Sequence, residues 1–442
     1  MLGQIDEGEI HTMRSGNDEH EFAAMLGLDW GDEQHEISLQ DMKSGKVEEC
    51  KVRQKPEDLH KWIRKLRDRF GEGKIAVAIE QSKGAVVYTL MSYDFIVLYP
   101  INPKSLARFR EALKPSRAKD DRSDADLLRE FITKHRDRFR AWKPEDENVR
   151  EMRTLAEYRR KRVNDLTRET KRLKSLLKDY FPQALTLVGA LDEELAWDFL
   201  TKWPSLEAVK KAKPAEVKKF YEKRRCRRNT IEKRMKLLSE STSLTTDQAI
   251  VRPSIIMMHS IISLLRSLVE SITKFEERIS ELYAEHPDRE VFDSFPGAGP
   301  VLAPRLAVAW GVDRSRYETA DELLRLSGIA PVTEASGKSK VVHRSYGRPK
   351  FLHQSFFEYA RQSITKSAWA RAFYREQRRQ GHKRNHVLRK LAFKWIRIMF
   401  RCWKEGTSYN EDRYLAALEK NGSPLTKLVR PPAAQECPLP TV

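Results

Sequence analysis

Ala23–Leu39, AAMLGLDWGDEQHEISL, is the stretch whose reading decides the fold. A short apolar run ends in a carboxylate, Asp29, followed by a glycine, and polar and apolar residues then alternate as they do along a half-buried strand. The reading is strand, turn, strand. Gly27-Leu28-Asp29-Trp30-Gly31 lacks the glycine spacing of a GxGxxG cradle, so a dinucleotide site is not indicated.

Working outward, Lys43-Ser44-Gly45-Lys46 reads as a turn, and Val47–Val52 alternates again as the third strand of an antiparallel meander. Pro56-Glu57-Asp58 opens a helix with Leu59, Trp62, Ile63, Leu66 and Phe70 on one face, stopped by Gly71-Glu72-Gly73. Ile75–Ile79 is a continuous apolar run, as expected of a buried central strand, and it ends in Glu80. A helix over Gly84–Tyr93, a strand over Phe95–Tyr99 and a helix over Pro103–Leu113 follow; Lys114–Lys119 reads as a loop. Asp121–His135 then has helical periodicity through Leu127, Leu128, Phe131 and Ile132. Three strands, helix, strand, helix, strand, helix is the ribonuclease-H-like order of α/β nucleases, and order alone assigns no function.

At 442 residues the expectation is two or three domains. Lys and Arg number 83 against 64 Asp and Glu, a net +19. So basic and polar a chain suits a polyanion, with nucleic acid the leading candidate. No run of about 18 apolar residues and no signal-peptide pattern is read, so a soluble, cytoplasmic protein is expected. Cys50, Cys226, Cys402 and Cys437 form no CxxC pair, which supports neither a zinc knuckle nor a disulfide framework.

Residues 1–21 are polar and without periodicity, a mobile leader. Glu145–Tyr180 is strongly helical and basic, with Leu155, Leu166, Leu173, Leu177 and Tyr180 as an apolar seam; its cations read either as a phosphate-backbone rail or as a solvated face. Leu185–Asp247 is a mixed helical region. Met258, Ile261, Leu265, Leu268, Ile272, Phe275, Ile279 and Leu282 repeat by threes and fours, a heptad seam. Its partner is either the Glu145–Tyr180 helix or a second subunit, with a subunit contact the preferred expectation. From Asn421 the chain reads as a disordered tail.

Divalent-metal phosphodiester chemistry needs carboxylates converging from different elements, because two hard cations about 4 Å apart take shared and separate oxygen ligands. Asp29, Glu80 and an acid from KDDRSDAD at Lys119–Asp126 meet that need. Asp121 and Asp124 share a helix face at a spacing of three; Asp120 and Asp124, four apart, are the rival pair, and Asp126 points elsewhere. Taken singly, each acid reads as a strand end or a helix-dipole partner. Together, at the ends of two strands and a helix that face one another in this fold, they read as a metal site.

In the last third, Phe295-Pro296-Gly297-Ala298-Gly299-Pro300 precedes an apolar helix over Val301–Trp310, and Gly297 and Gly299 leave backbone N–H groups open to a phosphate or form a plain tight turn. Without GK[ST] it is not a P-loop. Ser336-Gly337-Lys338 follows in a polar loop between Pro331 and the strand-like Val341–His343. Ser336 is a candidate nucleophile toward a phosphodiester, with Lys338, Lys340 and Arg344 offsetting charge on the phosphate.

With these residues quoted, the chain resembles the DEDD-type insertion-sequence transposases of the insertion-sequence-110 family, bridge-RNA-guided serine recombinases of bacterial mobile elements. The resemblance rests on GLDWGxxxH at Gly27–His35, the strand-end Glu80, KDDRSDA at Lys119–Ala125, FPGAGP, LSGIAP followed by SGK, RSYGRPKFLHQS, and RRQGHKRNHVLRKLAFKWIRIMF. It favours Asp121 with Asp124. Pro349 and His353 depart from the usual pattern.

The resemblance implies a RuvC-like domain at 22–143, a basic coiled-coil region at 144–287, a helical transposase domain with a serine loop at 288–420, and a tail at 421–442. It implies that Asp29, Glu80, Asp121 and Asp124 bind two Mg²⁺ ions, with Mn²⁺ able to substitute, and that Ser336 attacks DNA to form a phosphoserine link. It further implies a homo-oligomer that is a dimer or, in the synaptic complex, a tetramer, joining one chain's acids to another's serine. The partners the resemblance implies are donor and target DNA and a noncoding guide RNA, with a bacterial cytoplasmic location and nucleoid association during activity as the expectation. Arg150–Lys178, Arg378–Arg401, Arg348 and Lys350 are the expected nucleic-acid holders. A metal-only Holliday-junction-type nuclease and a non-catalytic nucleic-acid-binding protein are the alternatives.

Overall fold

Every residue of Ala24–Leu28 is buried, which places this strand, β1 (Ala24–Asp29), at the centre of a sheet in a computed structural model that describes residues 21–80, 84–113, 121–336, 339–344 and 348–429. The chain divides into two compact units, Met1–Pro144 and Glu145–Val442.

In the first unit β1 pairs antiparallel with β2 (Gln34–Asp41), which pairs antiparallel with β3 (Val47–Arg53). After α1 (Pro56–Phe70), β4 (Ile75–Ile79) joins β1 in parallel. After α2 (Ala85–Leu90), β5 (Ile96–Pro100) joins β4 in parallel, giving the order β3-β2-β1-β4-β5. This is the three-strand meander with parallel additions that the ribonuclease-H-like reading requires. Then come α3 (Pro103–Leu113) and α4 (Asp121–His135). The expected loop Lys114–Lys119 lies outside the described residues, as does the leader before Glu21.

Strand alternation sorts the two faces. Leu26 and Leu28 of β1, with Ile75, Val77 and Ile79 of β4, form one core with Leu59, Ile63 and Leu66 of α1. Met25, Ala76 and Ala78 face the other way and pack with Leu127, Leu128 and Ile132 of α4. Gly27 belongs to this second face. A Cβ there would lie 2.0 Å from the Ala125 carbonyl oxygen and 2.4 Å from the Arg129 amide nitrogen, so α4 rests on the bare backbone of β1.

The second unit is built on two long helices, α5 (Glu147–Tyr180) and α11 (Gln248–Ala284), with α6 (Ala184–Val188), α7 (Glu194–Lys202), α8 (Leu206–Lys211), α9 (Pro214–Lys223) and α10 (Arg228–Glu240) between them. Glu151 bonds Arg278 at 2.8 Å, Arg159 bonds Glu276 at 2.8 Å and the Tyr180 hydroxyl meets the Met258 sulfur at 3.2 Å, so the two run antiparallel. Met258, Ile261, Leu265, Leu268, Ile272, Ile279 and Leu282 of the heptad seam are buried within the chain, and Phe275 packs near Tyr158. Of the two expected partners for the seam, the intrachain helix pair is therefore the one observed.

A stretch of α11 is, by length and composition, apolar enough to cross a membrane, which corrects the expectation that no such run exists. The buried seam supplies much of that apolarity, and a core helix passes the same test.

The chain continues through α12 (Arg289–Asp293), α13 (Gly299–Trp310), α14 (Ala320–Leu326), β6 (Pro331–Ser336), β7 (Ser339–Arg344), α15 (Lys350–Lys366), α16 (Ala368–Arg379), α17 (Arg384–Glu405), α18 (Glu411–Lys420) and α19 (Pro424–Val429). Trp310, Trp369, Trp395 and Trp403 are fully buried in a core that also takes in Met152, Ile279 and Leu282 from α5 and α11. Two expectations change here. The basic stretch Arg378–Arg401 is two helices, because Gly381 turns the chain with φ +82°. The tail expected from Asn421 includes helix α19, held by buried Leu425; residues beyond 429 lie outside the described ones.

Two substitutions test this packing. Gly27→Ala is expected to cost about 1–3 kcal/mol in urea denaturation, the range for forcing an extra carbon into a packed site. Leu265→Ala, in the fully buried part of the seam, is expected to cost about 2–5 kcal/mol and to leave the sedimentation-derived oligomeric state unchanged.

Candidate active-site residues

Asp29 is the last residue of β1 and Glu80 follows the last residue of β4; both are partly buried. Leu28 is in register with Ile79 across the parallel pair, so Asp29 and Glu80 are the next neighbours along it, at the same edge. Alternation places both on the face covered by α4. Glu36, the antiparallel register partner of Asp29, shares that face and is ion-paired with Lys51 at 2.7 Å. Like charges directly across a ladder repel, and Lys51 offsets one of them. No motif marked Glu36; its register with Asp29 in the meander was the available signal.

The direction of α4 follows from its bonds to β2. The Ser38 hydroxyl, on the residue opposite Gly27, donates to Asp126 at 3.1 Å, and Arg129 donates to Gln40, opposite Met25, at 3.0 Å. Moving along α4 therefore means moving back along β1. At about 1.5 Å per helical residue, Asp121 lies about 7.5 Å before Asp126; at about 3.3 Å per strand residue, Asp29 lies about 6.6 Å beyond Gly27. The first turn of α4 and Asp29 thus reach the same level. Asp126 faces β2 and fastens the helix, in keeping with its separation from the other acids.

Asp124, only 3% exposed, accepts from Arg110 Nε at 3.0 Å and Nη2 at 2.6 Å. Asp121 is the first residue of α4; Asp120, its rival, lies outside the described residues. Among the described residues no three acidic, histidine or cysteine groups gather at one ion-sized point. In kind, the donor set suits a hard divalent cation: carboxylate oxygens, from separate elements, at one sheet edge.

The turn that carries Asp29 is held by a histidine. His35 is fully buried; the Gly31 N–H donates to its Nδ1 at 3.3 Å, so the ring proton is on Nε2, which donates to Gln54 Oε1. Burial holds the His35 pKa below its ordinary value, against the smaller opposing effect of Gln54.

In the second unit the expected polar loop around Ser336 is instead a ribbon of β6 and β7, in register from Pro331↔Arg344 to Ser336↔Ser339. β-Branched Val332, Thr333, Val341 and Val342 favour extended backbone, and a two-residue connection, Gly337-Lys338, suits a hairpin. Ser336 is exposed at the end of β6. Lys340 and Arg344 lie on β7, and Lys338 lies outside the described residues. At the base of the ribbon, the side chain of Arg348 lies over Gly328, where a Cβ would meet its Cδ at 2.1 Å. His353 Nδ1 donates to the Ser327 carbonyl at 3.1 Å. Pro349 is the N-cap residue of α15, and the exposed Lys350 opens that helix. The two residues that depart from the family pattern thus sit at the helix start that anchors the ribbon.

Gly297 and Gly299 have φ +83° and +56° just before and at the start of α13. Cβ atoms are unfavourable at such angles, which accounts for both glycines without a ligand. Along α5, several arginines are ion-paired: Arg159 with Glu276, Arg160 with Glu358, Arg168 with Asp165 and Arg172 with Glu169. Part of its basic character is therefore structural.

Residues 26–182 match a family described as "Transposase", of the DEDD insertion-sequence-110 type, and residues 289–375 match the "Transposase IS116/IS110/IS902 family". The chain is 26% identical over 411 residues to the mini-circle protein of IS117 from Streptomyces coelicolor, named as a transposase, covering 90% of this chain and 98% of the relative. It is 25% identical over 408 residues to the 43.6 kDa protein of insertion element IS110 from the same organism, covering 91% and 99%. To a protein of Sinorhizobium fredii named as transposase y4uE it is 30% identical over 205 residues, covering 46% and 57%. A ribonuclease-H-like sheet with acids at one edge defines a class of α/β nucleic-acid enzymes. Within it, the chain belongs to the IS110 family of insertion-sequence transposases, whose reaction is DNA cleavage and strand transfer.

The buried His35 gives a pH prediction. The unfolded chain takes up a proton near pH 6.5, whereas the folded state resists it, so the unfolded state binds more protons just below that pH. Stability is fully present above about pH 6.5 and falls as the pH drops toward the lowered folded value. Urea midpoints measured between pH 7.5 and 5 are expected to decline in the native protein, and less steeply in His35→Gln.

Proposed function

We propose that this transposase cuts and rejoins donor and target DNA through a covalent phosphoserine intermediate, with target choice delegated to a noncoding guide RNA. The observation that carries the metal-dependent half is the placement of Asp29, Glu80 and the first turn of α4 at one edge of the sheet. Mg²⁺ held there by Asp29, Glu80, Asp121 and Asp124 would supply Lewis acidity at the scissile phosphate.

Ser336 acts as the nucleophile. Its Oγ forms a bond to phosphorus, the phosphorus–oxygen bond to one deoxyribose breaks, the serine proton passes to solvent or a base, and the departing oxygen is protonated. The exposed end of the ribbon suits this role, since it presents the hydroxyl to a partner rather than to the core. Lys338, Lys340, Arg344, Arg348 and Lys350 hold phosphates around it, and Gly297 and Gly299 offer backbone N–H groups.

In this proposal residues 22–143 form the metal-binding domain, 144–287 the basic helical region and 288–420 the serine-bearing domain. The acids of one chain serve the serine of another in a homo-oligomer, in the bacterial cytoplasm. With the heptad seam buried within the chain, contacts between copies use other surfaces. Ile256 and Met257 of α11, 72% and 50% exposed, are available for that purpose.

Incubation with labelled donor DNA and guide RNA, followed by denaturation, is expected to trap a protein–DNA adduct. It should be lost in Ser336→Ala and reduced at least 100-fold in Asp29→Asn. Mixed oligomers of Ser336→Ala and Asp29→Ala chains should recover part of the activity. DNA cleavage that persists without an adduct in Ser336→Ala would instead favour attack by water.

A further inference from the structure

Arg110 is placed with care on the face of α3 that meets α4. Leu106, one turn earlier, is fully buried in the core shared with Leu127, Leu128 and Ile132. Phe109, adjacent to Arg110, stacks on Phe131 of α4 with ring centroids 4.4 Å apart. These contacts lock α3 against α4, and the Arg110 side chain, 14% exposed, reaches Asp124, whose side chain is 4% exposed. Both of its hydrogen bonds, at 3.0 Å and 2.6 Å, fall on Oδ1.

A fork that used both carboxylate oxygens would engage a lone pair on each of them. This pair leaves Oδ2 outside the interaction while fixing the carboxylate plane. The contrast with Asp126 is informative. Arg129 also bonds a single oxygen of Asp126, but that carboxylate is 40% exposed, and its partners Ser38 and Arg129, the latter bonded in turn to Gln40, account for it as the fastening between α4 and β2. The bonds to Asp124 come from a different helix and not from the sheet, and Asp124 lies in the first turn of α4, the turn that reaches the level of Asp29.

We propose that Arg110 is a positioning residue for metal binding: it holds Asp124 through Oδ1 so that Oδ2 is presented to a divalent cation at the edge where Asp29 and Glu80 end. The inference rests on the metal-binding reading of Asp124. Loss of a group that orients a ligand from behind typically weakens metal binding about 10- to 100-fold. Arg110 touches neither substrate nor reacting atoms, so its effect appears in metal binding before it appears in chemistry.

The test is a Mn²⁺ titration of the metal-free full-length protein, by electron paramagnetic resonance of the free ion, with circular dichroism as the folding control. Arg110→Ala is expected to raise the dissociation constant about 10- to 100-fold with the fold retained at 25 °C, and Arg110→Lys to recover part of the loss. Wild-type or tighter binding in Arg110→Ala overturns the proposal. Should Arg110→Ala fail to fold, Arg110→Lys carries the test: it keeps the charge but loses the fork, so a several-fold weaker constant is expected and an unchanged one overturns the inference. Asp124→Asn in parallel separates the two claims. If it binds Mn²⁺ as tightly as wild type, the reading of Asp124 as a ligand fails. If it loses binding while the Arg110 variants do not, only the role of Arg110 fails.

Discussion

The contact between the backbone of β1 and the backbone of α4 at Gly27 governs the first unit. A methyl group at that position would fall within 2.4 Å of two main-chain atoms of α4, so the helix and the strand approach as closely as a missing side chain allows. That closeness brings the first turn of α4 to the level of Asp29. The Ser38–Asp126–Arg129–Gln40 network then fixes the direction of the helix, and without that direction Asp124 would lie at the opposite edge of the sheet from Asp29 and Glu80. Packing and charge therefore serve one end, and the acids inherit their positions from an uncharged contact.

The second unit carries Ser336 on a two-stranded ribbon rather than on a large sheet. The antiparallel α5–α11 pair provides a long frame, and the tryptophan-rich core formed with α13, α15 and α17 gives a firm base. From that base Arg348 and His353 grip the turn at Ser327-Gly328, so both ends of the ribbon leave from one fastened place. The ribbon itself carries exposed Val341 and Val342.

Much of this was legible in the residues because two simple periods dominate. Alternation in GLDWGxxxHEISL and the unbroken run at Ile75–Ile79 determine strands whose ends carry Asp29 and Glu80, and the 3.6-residue period of Asp121–His135 determines α4. What the periods do not carry is partnership. The heptad seam of α11 looks the same whether its partner is α5 or another chain, since both would bury the same Leu and Ile residues. Ser336 sits in a segment rich in turn residues, and only the pairing of VTEAS with SKVVH shows the ribbon. Arg110 was invisible for a similar reason: one arginine among many on a basic helix is distinguished only by the buried acid it meets.

The central claim is that the edge formed by β1, β4 and the first turn of α4 is the metal-binding edge of this transposase. Anomalous diffraction from crystals of the protein grown with Mn²⁺ tests it most directly. The account predicts an anomalous peak bounded by the carboxylates of Asp29, Glu80 and Asp124, with Arg110 still on the far oxygen of Asp124. A well-ordered sheet edge with no peak there, or a peak held by other residues, would contradict it.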